Sequence, residues 1–359
     1  MHCVPMGTAT SRKVVSTGLG GHHVLVRTDG TTSVAYLYRQ GGLRSHRLRM
    51  LTRKQILWSY GCLLSLRVTH ALGILNTGED LLSRCMPNEG VKKCFGSLVT
   101  SNFILTAAHC FRIQDRPEHV TVEINDGKNT VRRVKNFFVH EKFDPGARKE
   151  QGVLVFYDYD VALIQLEGHV VIADTVRPIC IPCTTETRDA LRLDKNSTCK
   201  QQEELLLGDD TVHLSFLTRA SVNDDTVNEV LVKDVQAKLG NNRPECIKHA
   251  LEAPNINTDN VTIPVTENFL CTGGQYPTVD HIACTGDSGG AMFKDYDYRT
   301  VQVGVVSWGT KELCQSGGLV NSDASSRDFH INLFKVVPFL KRILGNDNQD
   351  DFPPLVFLN

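Results

Sequence analysis

Ser288 lies in the run Cys284-Thr285-Gly286-Asp287-Ser288-Gly289-Gly290, a serine between glycines with an aspartate before it. Such a run suits acyl transfer, because it exposes a hydroxyl and forms a tight turn whose N–H groups can converge on an oxyanion. The same composition also suits a plain turn tethered by a disulfide. Two further stretches bear on the choice. Leu105-Thr106-Ala107-Ala108-His109-Cys110 carries a histidine, and Asp158-Tyr159-Asp160-Val161-Ala162-Leu163-Ile164 carries two acids, so the chain order is His, Asp, Ser. A hydroxyl, a base and a carboxylate to orient the base are the parts of an activated nucleophile.

The elements that must position these groups are short. From Cys94 onward, β-type runs separated by turn residues cover 97–105, 120–124, 131–139, 161–166, 261–265, 291–293 and 301–308. Many short strands of this kind predict an all-β barrel or sandwich. The polar segment between Cys183 and Thr262 reads as long surface insertions, with helices over 201–207 and 227–239. An amphipathic C-terminal helix is expected over 330–344, interrupted by Pro338 and ending at Gly345. The acidic, then apolar, tail 346–359 reads as loose.

Composition bounds the function. At 359 residues with a net charge of -1, the chain is long enough for a large core and lacks the charge of a general nucleic-acid or membrane-surface binder. The charge is uneven: residues 1–78 hold ten Lys or Arg and a single acid, Asp29. Residues 1–86 therefore read as a basic, largely unstructured or atypical leader, whose arginines over 39–54 suit either a solvated arm or an anionic partner. Its opening lacks the apolar core of a secretory signal; Ile56 to Leu66 after Arg53 and Lys54 imitates one, and equally suits a buried strand or helix. Twelve cysteines point to an oxidising, extracellular compartment. Asn196-Ser197-Thr198 and Asn260-Val261-Thr262 are available sequons. Cys180-Ile181-Pro182-Cys183 stands without a second pair, so no metal site is expected, and no cofactor either.

The order of the three stretches, with their neighbours, resembles the chymotrypsin-like serine peptidases. Over about 94–344 the likeness narrows. Phe156-Tyr157-Asp158-Tyr159-Asp160-Val161-Ala162-Leu163, Arg177-Pro178-Ile179-Cys180-Ile181-Pro182-Cys183, Phe269-Leu270-Cys271-Thr272-Gly273-Gly274 and Arg327-Asp328-Phe329-His330-Ile331-Asn332-Leu333-Phe334 resemble the peptidase domains of the complement factor B family. The resemblance implies a two-barrel peptidase domain over 87–345, with His109 as general base, Asp160 as its orienting carboxylate and Ser288 as nucleophile. Asp158 is the rival acid; Asp160 is preferred because it directly precedes the apolar run. Gly286 and Ser288 would supply the oxyanion hole, and Ser307, Trp308 and Gly309 would line the substrate strand.

The resemblance further implies cleavage after arginine. The position six residues before Ser288, where a trypsin carries an aspartate, is Ile282, and Asp328 would supply the acid from the opposite wall. Ordinary members pair the acid before the serine with a freed amino terminus, and no Ile-Val-Gly-Gly-type site precedes Cys94. Arg327 is then the expected partner of Asp287, or else the oxyanion hole stays unformed until a complement protein partner binds; the resemblance implies the latter. Implied bridges are Cys94–Cys110, Cys183–Cys199, Cys246–Cys271 and Cys284–Cys314, with Cys62 favoured over Cys85 for Cys180. Upstream of about 87 the likeness ends, and the absence of the family's first barrel strand predicts an open edge in the amino-terminal barrel. The implied activity is a secreted convertase-type endopeptidase acting on a large complement protein, with neither nucleic acid nor membrane insertion involved. The competing expectation is a non-catalytic binding module on the same fold.

Overall fold

The computed structural model describes residues 23–28, 65–70, 80–85, 92–112, 115–124, 130–173, 176–220, 230–297, 299–314, 317–345 and 354–358. The chain divides into two units, 4–77 and, apart from the first three residues, 78–359. In the smaller unit β1 (His23–Thr28) and β2 (Ser65–His70) form a parallel pair, His23 opposite Ser65. Apart from this pair and residues 80–85, the leader expected over 1–86 lies outside the described residues.

The larger unit holds two closed six-stranded barrels, as the two-barrel expectation requires. The first comprises β3 (Asp80–Cys85), β4 (Lys92–Leu98), β5 (Phe103–Thr106), β6 (Val120–Ile124), β7 (Thr130–Val139) and β8 (Ala162–Leu166), in the order β3-β4-β5-β8-β7-β6. The expected open edge is therefore closed. β3 pairs antiparallel with β4 on one side and β6 on the other, so the barrel begins seven residues before the boundary placed at 87. The run 97–105 is two strands rather than one, because the chain turns between Val99 and Asn102, where Thr100 Oγ1 accepts the Phe103 N–H at 3.0 Å. Alternate burial along β6 points Val120, Val122 and Ile124 inward.

The chain then crosses through α1 (Thr185–Ala190) and α2 (Cys199–Leu207). Thr198 and Gln201 close a reciprocal capping box on α2, which explains a helix in so polar a stretch. The second barrel comprises β9 (Thr211–Arg219), β10 (Val230–Lys238), β11 (Phe269–Thr272), β12 (Ala291–Tyr296), β13 (Arg299–Gly309) and β14 (Asp328–Asn332), with the short helix α3 (Arg243–Ile247) between β10 and β11. Its order is β10-β11-β14-β13-β12-β9. The segment read as surface insertions thus supplies two core strands, and the expected helix over 227–239 is β10 in its described part. Leu214, Phe216, Val235, Ala237, Met292 and Val303 fill this barrel.

Two other expectations change. The run 261–265 is a succession of turns closed by Ile263 N–H to Asn260 O and Val265 N–H to Val261 O, not a strand. The C-terminal helix, α4, spans Val337–Leu344 and is preceded by β14, because Pro338 is tolerated only in a first turn. The tail is docked where described: Leu355 N–H bonds Leu344 O, Leu358 N–H bonds Cys183 O, and Phe357 is buried. Between the barrels, Ser97 Oγ donates to Gln302 Oε1 at 2.6 Å, both buried. Among the described residues no helix is long and apolar enough to cross a membrane.

Candidate active site

His109 stands in a single 3-10 turn, Ala108–Cys110, directly after β5. Cys110 is bridged to Cys94 on β4, which pins this turn to the barrel wall. Asp160 leads into β8, whose pairing with β5 brings the two residues together. The carboxylate is fully buried: Oδ1 accepts the His109 backbone N–H at 2.7 Å, and Oδ2 lies 2.6 Å from His109 Nδ1. Ser307 Oγ on β13 donates to the same Oδ2 at 2.5 Å. An ionised carboxylate only accepts, so Nδ1 carries the ring proton and Nε2 keeps its lone pair. Tyr157 sets its ring edgewise on the imidazole, centroids 5.5 Å apart. Tyr159, just before the acid, has a φ of 57°, a conformation costing a bulky residue about 1 kcal/mol or more. Asp158 faces elsewhere: its Oδ1 accepts Thr266 Oγ1 at 2.9 Å and Asn268 Nδ2 at 2.7 Å, tying two loops together.

Ser288 follows a turn in which Asp287 N–H bonds Cys284 O at 3.0 Å, with Gly286 at a φ of 98°. Positive φ at the third residue is the type II signature, open to glycine without strain. Neighbouring N–H groups are all spent, Thr285 on Cys314 O, Gly289 on Val306 O and Gly290 on Asp287 O. Among the described residues neither the Gly286 nor the Ser288 N–H has an acceptor. Gly289 packs against the first barrel so closely that a Cβ would lie 2.2 Å from Thr106 Oγ1. Phe95 N–H, from β4, binds Ser288 O at 2.8 Å and sets the turn beside the histidine's barrel.

Beside the serine is a pocket of about 320 Å³ lined by Ser288, Ala283, Thr285, Trp308, Gly309 and Asp328 among others. Ser307 also lines it. The Asp328 carboxyl, at the start of β14, is wholly buried, and its Oδ2 accepts the Ala283 N–H at 2.7 Å. Burial pushes its pKa up to about 7, opposed by that hydrogen bond and by the Lys233 charge. Ile282 packs into an apolar cluster with Cys284, Cys314 and Val320. A carboxylate in a deep pocket, a hydroxyl at its mouth and unpaired N–H groups beside it can bind a cation and stabilise an oxyanion.

Comparison with known sequences agrees with this geometry. The family described as Trypsin matches residues 83–326, more than half of the chain. The chain belongs to the trypsin family. It is 38% identical to complement factor B of Bos taurus over 268 residues, covering 74% of this chain and 34% of that protein. It is 35% identical to complement C2 of Mus musculus over 275 residues, covering 73% of this chain and again 34% of the relative. The chain thus spans about a third of the length of the curated relatives it matches, and its trypsin-like serine peptidase domain is related to theirs.

Within that trypsin-family domain the acid before the serine has a partner that sequence reading missed. Asp287 is paired with Lys233 of β10, Nζ to Oδ2 at 2.8 Å, and both side chains are inaccessible to solvent. The expected partner, Arg327, instead donates from Nη1 to Ala324 O at 3.0 Å and Ser326 O at 2.8 Å, and Lys233 holds the place beside Asp287. Burial raises the Asp287 carboxyl above its ordinary range while the Lys233 charge draws it back. Also missed were the Ser307 bond to Asp160 and the Tyr157 contact with His109.

The four implied bridges Cys94–Cys110, Cys183–Cys199, Cys246–Cys271 and Cys284–Cys314 are all formed. Cys180 is disulfide-bonded as well; Cys62, expected as its partner, lies outside the described residues. Asn196 and Asn260 are both exposed. Among the described residues the His/Cys/Asp/Glu group with metal-like spacing is Cys94, His109 and Cys110, and both of its sulfurs are consumed in the bridge.

Proposed function

We propose that this chain is a secreted serine endopeptidase of the complement convertase type that cleaves a large protein after arginine. Ser288 Oγ attacks the scissile carbonyl while His109 Nε2 takes its proton, and the Asp160 carboxylate stabilises the imidazolium that results. The Gly286 and Ser288 N–H groups receive the oxyanion, each worth roughly 3 kcal/mol in a site of this type. Imidazolium then protonates the leaving amine, and water repeats the sequence to free the acyl group. Asp328 binds the arginine side chain that precedes the scissile bond.

The observation that carries this reading is the pair of N–H groups without acceptors at Gly286 and Ser288, with Ser288 lining a pocket that holds a buried carboxylate. The relatives' names, complement factor B and complement C2, support a complement protein as substrate and as partner. On this reading the chain is zymogen-like toward its large protein substrate until that partner binds. Fluorophosphonate labelling of the full chain, with Ser288→Ala as control, tests the reading alongside hydrolysis of short arginine, lysine and alanine esters. Labelling at Ser288 with turnover confined to arginine is expected. A folded chain whose Ser288 stays unlabelled and whose esters stay intact overturns the reading in favour of a binding module.

A further inference from the structure

We infer that Lys233 is a positioning residue for the oxyanion hole: its buried ammonium holds Asp287 inward and so keeps the Gly286 and Ser288 N–H groups turned toward the reacting carbonyl. This rests on the peptidase reading above. The ammonium has one carboxylate within hydrogen-bond distance, Asp287 Oδ2 at 2.8 Å, with Cys284 Sγ also at 2.8 Å and the Phe216 ring face at 5.6 Å. The charge is thus enclosed by the turn on one side and an aromatic wall on the other. The remaining buried lysine of β10, Lys238, is engaged elsewhere, with Asp280 Oδ2 and Gly273 O.

The two partners differ in stiffness. Lys233 is carried by a strand in continuous register with β9 from Val230 opposite Arg219 to Lys238 opposite Thr211, and it sits directly across from Phe216. The turn it grips is a glycine turn, whose central peptide can flip between type I and type II at small cost. The Cys284 N–H to Asp287 Oδ2 bond at 2.8 Å ties this turn to the carboxylate and needs it inside, while Asp287 N–H to Cys284 O at 3.0 Å closes the turn backbone to backbone. Without a counter-charge the carboxylate is expensive to bury and is driven toward water. Asp287 lies between Gly286 and Ser288, so its departure rotates both N–H groups away together.

The test uses the full chain with Lys233→Met, which keeps length and removes charge, and the double variant Lys233→Met/Asp287→Asn, which removes both charges. For the single variant, kcat on an arginine ester falls about 10²- to 10³-fold, the loss typical of an oxyanion donor, and KM stays within about threefold because the Asp328 pocket is untouched. In the double variant the melting temperature returns to that of the parent, since no charge is stranded, while kcat stays low. Recovery of kcat together with stability would mean that the pair only supports the fold, and would overturn the inference. If the single variant does not fold, the kcat of the double variant decides. Crystal structures of the variants add a readout independent of turnover: Gly286 moves to negative φ, and retention of a φ near 98° overturns the inference even if the parent chain hydrolyses nothing. Failure of the peptidase reading shows separately, as a parent whose Ser288 resists the fluorophosphonate.

Discussion

Replacing Asp328 by asparagine separates its role in specificity from its cost to the fold. The side chain is 1% exposed, and its carboxyl has a pKa of about 7 against an ordinary 3.8. The native state therefore binds this proton more tightly than the unfolded chain does. The stabilisation is complete below about pH 4 and lost as the pH climbs through 7, which costs the fold on the order of 4 kcal/mol once the group is ionised. Asparagine keeps an oxygen for the Ala283 N–H and carries no charge. Asp328→Asn should thus melt several degrees above the parent at pH 8 and show a much smaller gap at pH 5. On an arginine ester the same change leaves a guanidinium buried without its partner. At about 3–4 kcal/mol this lowers kcat/KM roughly 10²- to 10³-fold. In the parent, arginine must expel a proton from Asp328 to bind, so benzamidine affinity falls about tenfold for each pH step below 7. Calorimetry in two buffers reads the released proton directly. Benzamidine affinity flat from pH 5.5 to 8.5, or a variant that retains arginine turnover within threefold, would refute the placement of Asp328 as the specificity acid.

Other substitutions divide the site in the same way. Asp160→Asn leaves the geometry but favours the wrong imidazole tautomer, so kcat on esters should fall about 10³- to 10⁴-fold with little change in KM. Asp158→Ala strands the Thr266 and Asn268 donors and should cost about 2 kcal/mol by urea denaturation while leaving kcat within about threefold. Truncation after Gly345 removes the Phe357 contact and the backbone bonds to Cys183 and Leu344, and should lower the melting temperature by several degrees without changing arginine selectivity.

The motifs around His109, Asp160 and Ser288 were legible because chemistry fixes their neighbours: small residues where the backbone must turn or approach, apolar ones where a strand follows. The second barrel was obscured by its own inward polar residues. On β10 the buried set is Lys233, Val235, Ala237 and Lys238, so a lysine stands where an alternating strand should show a hydrophobe, and the segment read as a helix. β14 buries every side chain of Asp-Phe-His-Ile-Asn, with Asp328, His330 and Asn332 at alternate positions, and its apolar residues were borrowed into a helical pattern with those of α4. Val261, Ile263 and Val265 show the converse, an alternation without a neighbouring strand to pair with, which therefore folds as turns.

The buried polar residues of the second barrel are not scattered. Lys233, Ser307 and Asp328 are polar groups placed inside a barrel, and each makes a bond to the machinery: Lys233 to Asp287, Ser307 to Asp160, Asp328 to the backbone of Ala283 within the pocket. A buried polar side chain costs stability unless it is paired, so local pattern and global fold conflict where function requires a charge or donor in a fixed place. The strands give that fixity in return. A loop-borne lysine could follow Asp287 outward, whereas Lys233 is held by the nine paired residues of β10. The sequence positions that defeat a two-residue period in the second barrel are for that reason the ones to substitute when its catalysis is dissected.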